Sequence, residues 1–179
     1  SLRRRTLAAL AALSCLSLAA PAALAQAYPA KPVRIIVGFP AGTGPDIVAR
    51  QLAQELSRAW GGQGVIVDNK PGAGGLIAAQ EAARATPDGY TLMLGETGQL
   101  AIAPSSYNKL PYDPVKDFIP VSQVVSSDFA LLVNPQKVPS KNVKDFVEWT
   151  KSQKGLFMAT FGAGTPGHFG AFMFGDAVK

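Results

Sequence analysis

The run Val33-Arg34-Ile35-Ile36-Val37-Gly38-Phe39-Pro40-Ala41-Gly42-Thr43-Gly44-Pro45-Asp46 passes from a β-branched segment through a glycine loop into the start of a helix. Residues 33–38, bounded by Pro32 and the loop, have the continuous apolar character of a buried parallel strand. Asp46 is placed to cap the helix behind it. The apolar positions Ile47, Val48, Leu52, Leu56, Ala59 and Trp60 share a face of that helix, and Gly61-Gly62 ends it. A helix start carries N–H groups without intrahelical partners and the positive end of the peptide dipoles. Glycines let that backbone approach a ligand closely, which makes the loop a candidate anion cradle.

Downstream, residues 64–69 read as a second strand, Lys70-Pro71-Gly72-Ala73-Gly74-Gly75 as a loop and residues 76–85 as an alanine-rich helix. Thr86-Pro87-Asp88-Gly89 is a turn in which Pro87 presets φ and Gly89 tolerates positive φ, and residues 90–95 form a third strand. Strand-helix-strand-helix-strand is the order of a parallel sheet with right-handed crossovers. From Pro104 onward, Pro111, Pro114 and Pro120 punctuate a loop-rich stretch that reads as the crossing into a second domain. Residues 119–125 and 129–133 are expected as strands. Ser140 is expected to open a helix that buries Val143, Phe146, Val147 and Thr150 and ends at Gly155. A strand at 157–161 then leads into Phe161-Gly162-Ala163-Gly164-Thr165-Pro166-Gly167-His168, a second glycine loop before a helix. No sequence repeat accompanies the pair, yet the strand-loop-helix element occurs once in each expected domain. Neither loop contains a lysine or arginine, so anion binding there would use amides, hydroxyls and water.

Residues 1–25 read as an export signal. Arg3, Arg4 and Arg5 precede an apolar stretch at 7–18, and Ala23-Leu24-Ala25 supplies a small-x-small cleavage pattern after Ala25. The apolar stretch is short for a membrane span and Pro21 interrupts it. Arg4-Arg5-Thr6-Leu7 is compatible with either the general or the twin-arginine route. The chain of 179 residues carries a formal charge of +5, but removing three of its 17 basic residues leaves 14 against 12 acidic ones. A nucleic-acid surface is therefore not indicated. Cys15, the single cysteine, is expected to leave with the signal, so the exported part holds no disulfide; a lipoprotein cysteine is the alternative, against which Ala12 stands where a larger aliphatic residue is usual. The chain begins with Ser1 and stops within an amphipathic pattern, and it reads as a fragment.

The chemistry for catalysis is sparse. Gly42-Thr43-Gly44-Pro45-Asp46 lacks the third glycine of a dinucleotide loop, and no Gly-Lys-Ser/Thr phosphate loop occurs. With one histidine, His168, and no Gly-x-Ser-x-Gly elbow, the usual nucleophile–base pairs lack their parts, and a metal site lacks ligands. The plainest reading of His168 is a helix-start residue bonded to its own loop. Gly95-Glu96-Thr97-Gly98-Gln99 ends the third strand on the same edge as the first loop, where Thr97 and Gln99 could reach a ligand.

In combination, these segments resemble one family. Phe39-Pro40-Ala41-Gly42 with Asp46-Ile47-Val48-Ala49-Arg50 is similar to its first ligand loop. Val67-Asp68-Asn69-Lys70-Pro71-Gly72-Ala73-Gly74-Gly75 and Thr86-Pro87-Asp88-Gly89-Tyr90-Thr91-Leu92 resemble its connectors. Leu110-Pro111-Tyr112-Asp113-Pro114-Val115-Lys116-Asp117-Phe118 resembles its interdomain segment, and Gly162 to His168 its second ligand loop. The family is the substrate-binding component of tripartite tricarboxylate transporters, the Bug-type periplasmic receptors. The resemblance runs from about residue 28 to the end of the chain. It implies an α/β, two-domain periplasmic-binding-protein clamshell (a Venus flytrap), here truncated inside the second domain. The domains would be residues 26–104 and 105–179, closing on a small carboxylate. The expected ligand-binding set, the two loops from the resemblance and Thr97, Gln99 and Thr160 from their position, is Phe39, Pro40, Ala41, Gly42, Thr43, Asp46, Thr97, Gln99, Thr160, Gly162, Gly164, Thr165 and His168, with no cofactor, metal or catalytic residue. The implied partners are a carboxylate ligand and the membrane subunits of the transporter. An exported α/β enzyme, or a sensor, using the loops for phosphate or another anion is the alternative. The family usually has Gly-Gly where Gly42-Thr43 stands, and a β-branched residue resists positive φ. Family members are about twice as long, so uncovered strand edges and helix faces are expected to favour aggregation.

Overall fold

Three short strands, β1 (Val33–Val37), β2 (Val65–Asn69) and β3 (Thr91–Leu94), form a parallel sheet in the order β2-β1-β3. β1 is central, with Ile35 opposite Val67 on one side and Leu92 on the other. The structure is a computed structural model that describes residues 27–178. The export signal and its cleavage site lie outside the described residues. Residues Lys31–Lys179 make up one compact unit.

Helix α1 (Gly44–Ala59) joins β1 to β2, and α2 (Leu76–Ala83) joins β2 to β3. The two connections run in opposite directions across the sheet, which by the right-handed crossover rule sets their helices on opposite faces. The core divides accordingly. Ile35, Val37 and Phe39 pack with Ala49 and Ala53 of α1, flanked by Val65, Val67, Leu92 and Leu94. On the other face Leu76 and Ala79 of α2 pack with Ala103 and Tyr112, flanked by Met93, Leu110 and Phe118. The side chains alternate between the two cores with the period of two that a strand imposes.

The buried face of α1 is narrower than the apolar pattern suggests. Asp46, Ala49 and Ala53 are its buried residues, whereas Ile47 is half exposed and Ala59 is exposed. Small residues at the contact line let the helix approach the sheet, and the larger Leu52 and Leu56 pack at the margin. Gly61 and Gly62 end the helix with φ of 66° and 92°, the Gly62 amide reaching back to Ser57 O.

Three expected strands are absent. Residues 119–125, 129–133 and 157–161 have no ladder partners, and Ile119, Val121, Leu132 and Phe157 stand exposed. A strand is defined by the neighbour that pairs with it, and the described residues offer none beyond the three-stranded sheet. The expected helix at Ser140 starts later, as α4 (Val143–Lys151), because Asn142 is the residue whose side chain accepts the Asp145 amide. Val143 is exposed and Phe146 alone in this helix is buried. A wide π turn, Gly98–Ile102, and the short α3 (Ala103–Ser106) follow β3, a helical segment that the prolines of this stretch conceal. The last helix, α5 (Pro166–Ala177), begins at the second glycine loop and buries no residue.

Candidate functional site

The two glycine loops have the same hydrogen-bond plan. In the first, Thr43 is the N-cap residue of α1, with extended φ/ψ of −80°/164°. Its Oγ1 donates to Pro40 O at 2.7 Å, and the Gly42 amide donates to the Asp46 carboxylate at 2.8 Å. In the second, Thr165 is the N-cap of α5 at −87°/161°. Its Oγ1 donates to Gly162 O at 2.6 Å, and the Gly164 amide donates to His168 Nδ1 at 3.2 Å. Gly42 and Gly164 take the left-handed turn, with φ of 83° and 78°. The strain expected from Thr43 therefore does not arise, because the positive φ falls on the glycine before it. The hydroxyl hydrogens of Thr43 and Thr165 are spent within their loops.

Asp46 does not stand at the N-cap, as the sequence suggests, but two residues inside α1, where its carboxylate reaches back to the loop. It is 2% exposed. Oδ2 accepts from Gly42 N and from Arg50 Nε at 2.9 Å, and Oδ1 from Asn69 Nδ2 at 2.9 Å. The Arg50 guanidinium, then the Gly42 amide and the Asn69 amide, hold its carboxyl at about 2, against the ordinary 3.8. His168 is exposed and bonded to its own loop, the plainest of its readings.

Gln99 is fully buried and knits three loops together. Its Nε2 donates to Gly75 O at 3.2 Å and its Oε1 accepts the Glu96 amide at 3.1 Å, while Tyr112 Oη donates to Gln99 O at 2.8 Å. A Cβ at Gly38 would lie 2.5 Å from Gln99 Nε2. The loops after β1, β2 and β3 thus meet around one amide. Burial holds the Glu96 carboxyl above its ordinary range. Thr97 is exposed on the same segment.

The second loop lies against this edge. A Cβ at Gly74 would come 2.7 Å from Ala163 O, one at Gly98 3.5 Å from Gly164 O, and one at Gly164 2.8 Å from Tyr107 Oη. Thr165 is fully buried there. Phe39 is nearly buried in the α1-side core, Pro40, Ala41 and Gly42 are exposed, and Gly162 and Gly164 are half-buried. Thr160 is exposed and its Oγ1 accepts the Gly162 amide at 3.4 Å. The structure brings the second loop to the β2 and β3 loops, with Gln99 linking these to the start of the first. In the order β2-β1-β3 the connections diverge between β1 and β3, the topological switch point at which open α/β sheets bind ligands. The first glycine loop and the Gly95–Gln99 segment leave the sheet from these two strands.

Sequence reasoning missed Asn69, Tyr107 and Tyr112 as parts of this edge. Strand alternation turns Asp68, near the end of β2, to the α2 face, where it pairs with Arg34 at 3.0 Å beside Glu81. Asn69, one residue on, turns to the α1 face. Among the described residues no cluster of histidine, cysteine and carboxylate side chains could hold a metal ion, and no helix is long and apolar enough to cross a membrane.

Known structures place this architecture among the periplasmic binding proteins. The fold is similar to that of the periplasmic binding protein BugD, with a TM-score of 0.70 at 35% identity, over 84% of this chain and 50% of that one. Residues 48–178 match the tripartite tricarboxylate transporter family receptor, and the chain belongs to that family. It is 44% identical over 139 residues to a UPF0065 protein of Bordetella bronchiseptica, over 78% of this chain and 41% of that protein. The chain spans less than half the length of the curated relatives it matches. Two similar structures hold acids. MatC from Rhodopseudomonas palustris, with bound malate, has a TM-score of 0.58 at 32% identity, over 70% of this chain and 42% of that one. An R. palustris protein with adipate has a TM-score of 0.70 at 28% identity, over 83% of this chain and 49% of that one.

Proposed function

We propose that this chain is part of an exported receptor that captures a small dicarboxylate between two lobes and delivers it to the membrane subunits of a tripartite carboxylate transporter. The observation that carries this reading is the twin-loop plan. Two helix starts of the same construction, neither bearing a cationic side chain, suit an acid with a carboxylate at each end. The lobes meet near residue 104, and each contributes one loop. Phe39 to Thr43 of the first loop, and Gly162, Gly164 and Thr165 of the second, would border the acid, with Thr97 and Thr160 at its sides. Gln99, Asp46 and His168 would hold the loops in shape. The matching relatives that hold malate and adipate support a dicarboxylate. The reading includes no catalytic step, and it places the protein in the periplasm after cleavage behind Ala25.

The experiment is a thermal-shift screen of malate, adipate, citrate, phosphate and nucleotides against the purified chain. A ligand that binds only the folded state raises the melting temperature with concentration. A shift with dicarboxylates alone supports the receptor. A shift with phosphate or nucleotides alone overturns it in favour of an anion-using enzyme or sensor.

A further inference from the structure

The first glycine loop is held by hydrogen bonds in a place where packing does not hold it. A Cβ at Gly42 or Gly44 would have no atom within 4 Å, so these residues stand in open space. Yet Gly42 keeps a φ of 83°, and its amide points back at Asp46. Asn69, at the end of β2, reaches both ends of the loop. One Nδ2 hydrogen bond goes to Phe39 O at 3.0 Å, where the loop leaves β1, and another to Asp46 Oδ1 at 2.9 Å, where α1 begins. Arg50 closes the set, donating from Nε to Asp46 and from a terminal nitrogen to Asn69 Oδ1 at 3.2 Å.

We propose that Asp46 and Asn69 are positioning residues whose side chains preset the first loop for an acid without touching it. This rests on the receptor reading above. Three donors occupy the Asp46 carboxylate, and Arg50 offsets its charge, so a buried anion can sit one turn from the place where another anion is to bind. The Gly42 amide is spent on Asp46. Helix geometry leaves the amides of Gly44 and Asp46 without intrahelical partners, Pro45 having none, and these are the donors the preset loop presents. The second loop repeats the plan with His168 in the Asp46 position, but it has no counterpart of the Asn69 clamp among the described hydrogen bonds. The first loop is the prearranged half of the site.

The test uses the full chain with Asn69→Ala and Asp46→Asn, reading hydrogen exchange at the Gly42 amide by NMR, the Kd for malate and adipate, and the ligand-free melting temperature. Asn69→Ala is expected to speed exchange at Gly42 and weaken acid binding, each about tenfold, the loss that one buried charge-assisted hydrogen bond represents. The amides of β1 and β3 keep their protection. Unchanged exchange at Gly42 in both variants overturns the proposal, as does weaker binding that merely follows a general loss of protection. Should Asn69→Ala fail to fold, Asp46→Asn, which keeps the shape but cannot take three donors, decides by the same readouts. If the parent chain binds neither acid, the receptor reading fails, and exchange at Gly42 alone then decides whether the loop is preset.

Discussion

Gln99 Nε2 donates to the carbonyl of Gly75 at 3.2 Å, and the two residues lie so close that a side chain on Gly75 would occupy the place of that nitrogen. Gly75 also has a φ of 90°, a conformation that costs an L side chain about 1–2 kcal/mol. Gly75→Ala is therefore expected to destabilise the protein by about 2–4 kcal/mol, from backbone strain and overpacking together. Urea unfolding checks this, and a loss under about 1 kcal/mol would show that the junction of the three loops is loose.

Gly42 and Gly164 have nearly equal φ but different surroundings. Gly42→Ala meets only the backbone penalty, about 1–2 kcal/mol, because nothing lies near its Cβ position. Gly164→Ala meets Tyr107 Oη as well and should cost clearly more. Combining Gly164→Ala with Tyr107→Ala should return part of the loss. Equal costs for the two single variants would mean that the second loop does not rest on Tyr107.

Tyr112, from the segment that follows the first three strands, donates to Gln99 O within a buried contact. Tyr112→Phe keeps the ring packed edge-on to Phe118 and removes only the hydroxyl. It should cost about 1–2 kcal/mol, since the carbonyl is left buried without its donor. A double-mutant cycle with Phe118→Leu separates the hydrogen bond from the ring contact.

Acid stability should report on Asp46. Its carboxyl is held at about 2, below the ordinary 3.8, chiefly by Arg50. The stabilisation from this shift is present above the unfolded value and lost as the pH falls from 3.8 towards 2. Asp46→Asn should melt lower than the parent at neutral pH, and the gap should close over that acid range. Asp88, held low by Lys31, and Asp113, held low by Lys116, titrate in both proteins and cancel in the difference. A gap that stays constant with pH would show that the ionised carboxylate is not its source.

Glu96 should behave in the opposite sense. Burial raises its pKa above 4.5, so the folded state carries a cost once the group ionises, and none at a pH below that value. Glu96→Gln is expected to raise the melting temperature at neutral pH and leave it nearly unchanged in acid below the unfolded value. It also removes a negative charge from the edge proposed for the acid, so the Kd for malate should fall.

Much of this was legible along the chain. Val33 to Val37 declare a buried strand by their β-branched run, Gly61-Gly62 a helix end, and the paired glycine loops a common plan. The sequence is also sparse in nucleophiles and ligating side chains, with one histidine and one cysteine. The expected strands at 119–125, 129–133 and 157–161 were misread for a physical reason. Their residues have strand composition, but composition cannot supply the neighbouring backbone that a ladder needs. Asp46 was read as a cap because acidic residues favour helix starts, although its partner is the loop amide four residues before it.

Local chemistry determined the parallel βαβαβ unit, the two loops and the absence of cationic side chains in them, because strand period, glycine and helix capping act over a few residues. Tertiary structure alone decided which side chains shape the site. Asn69 lies 23 residues from Asp46 in the chain, and Gln99 lies 24 from Gly75, yet each pair shares a hydrogen bond. The order β2-β1-β3 brings the carboxyl ends of strands remote in sequence to one edge, and a neighbour made by folding leaves no mark in the sequence beside it.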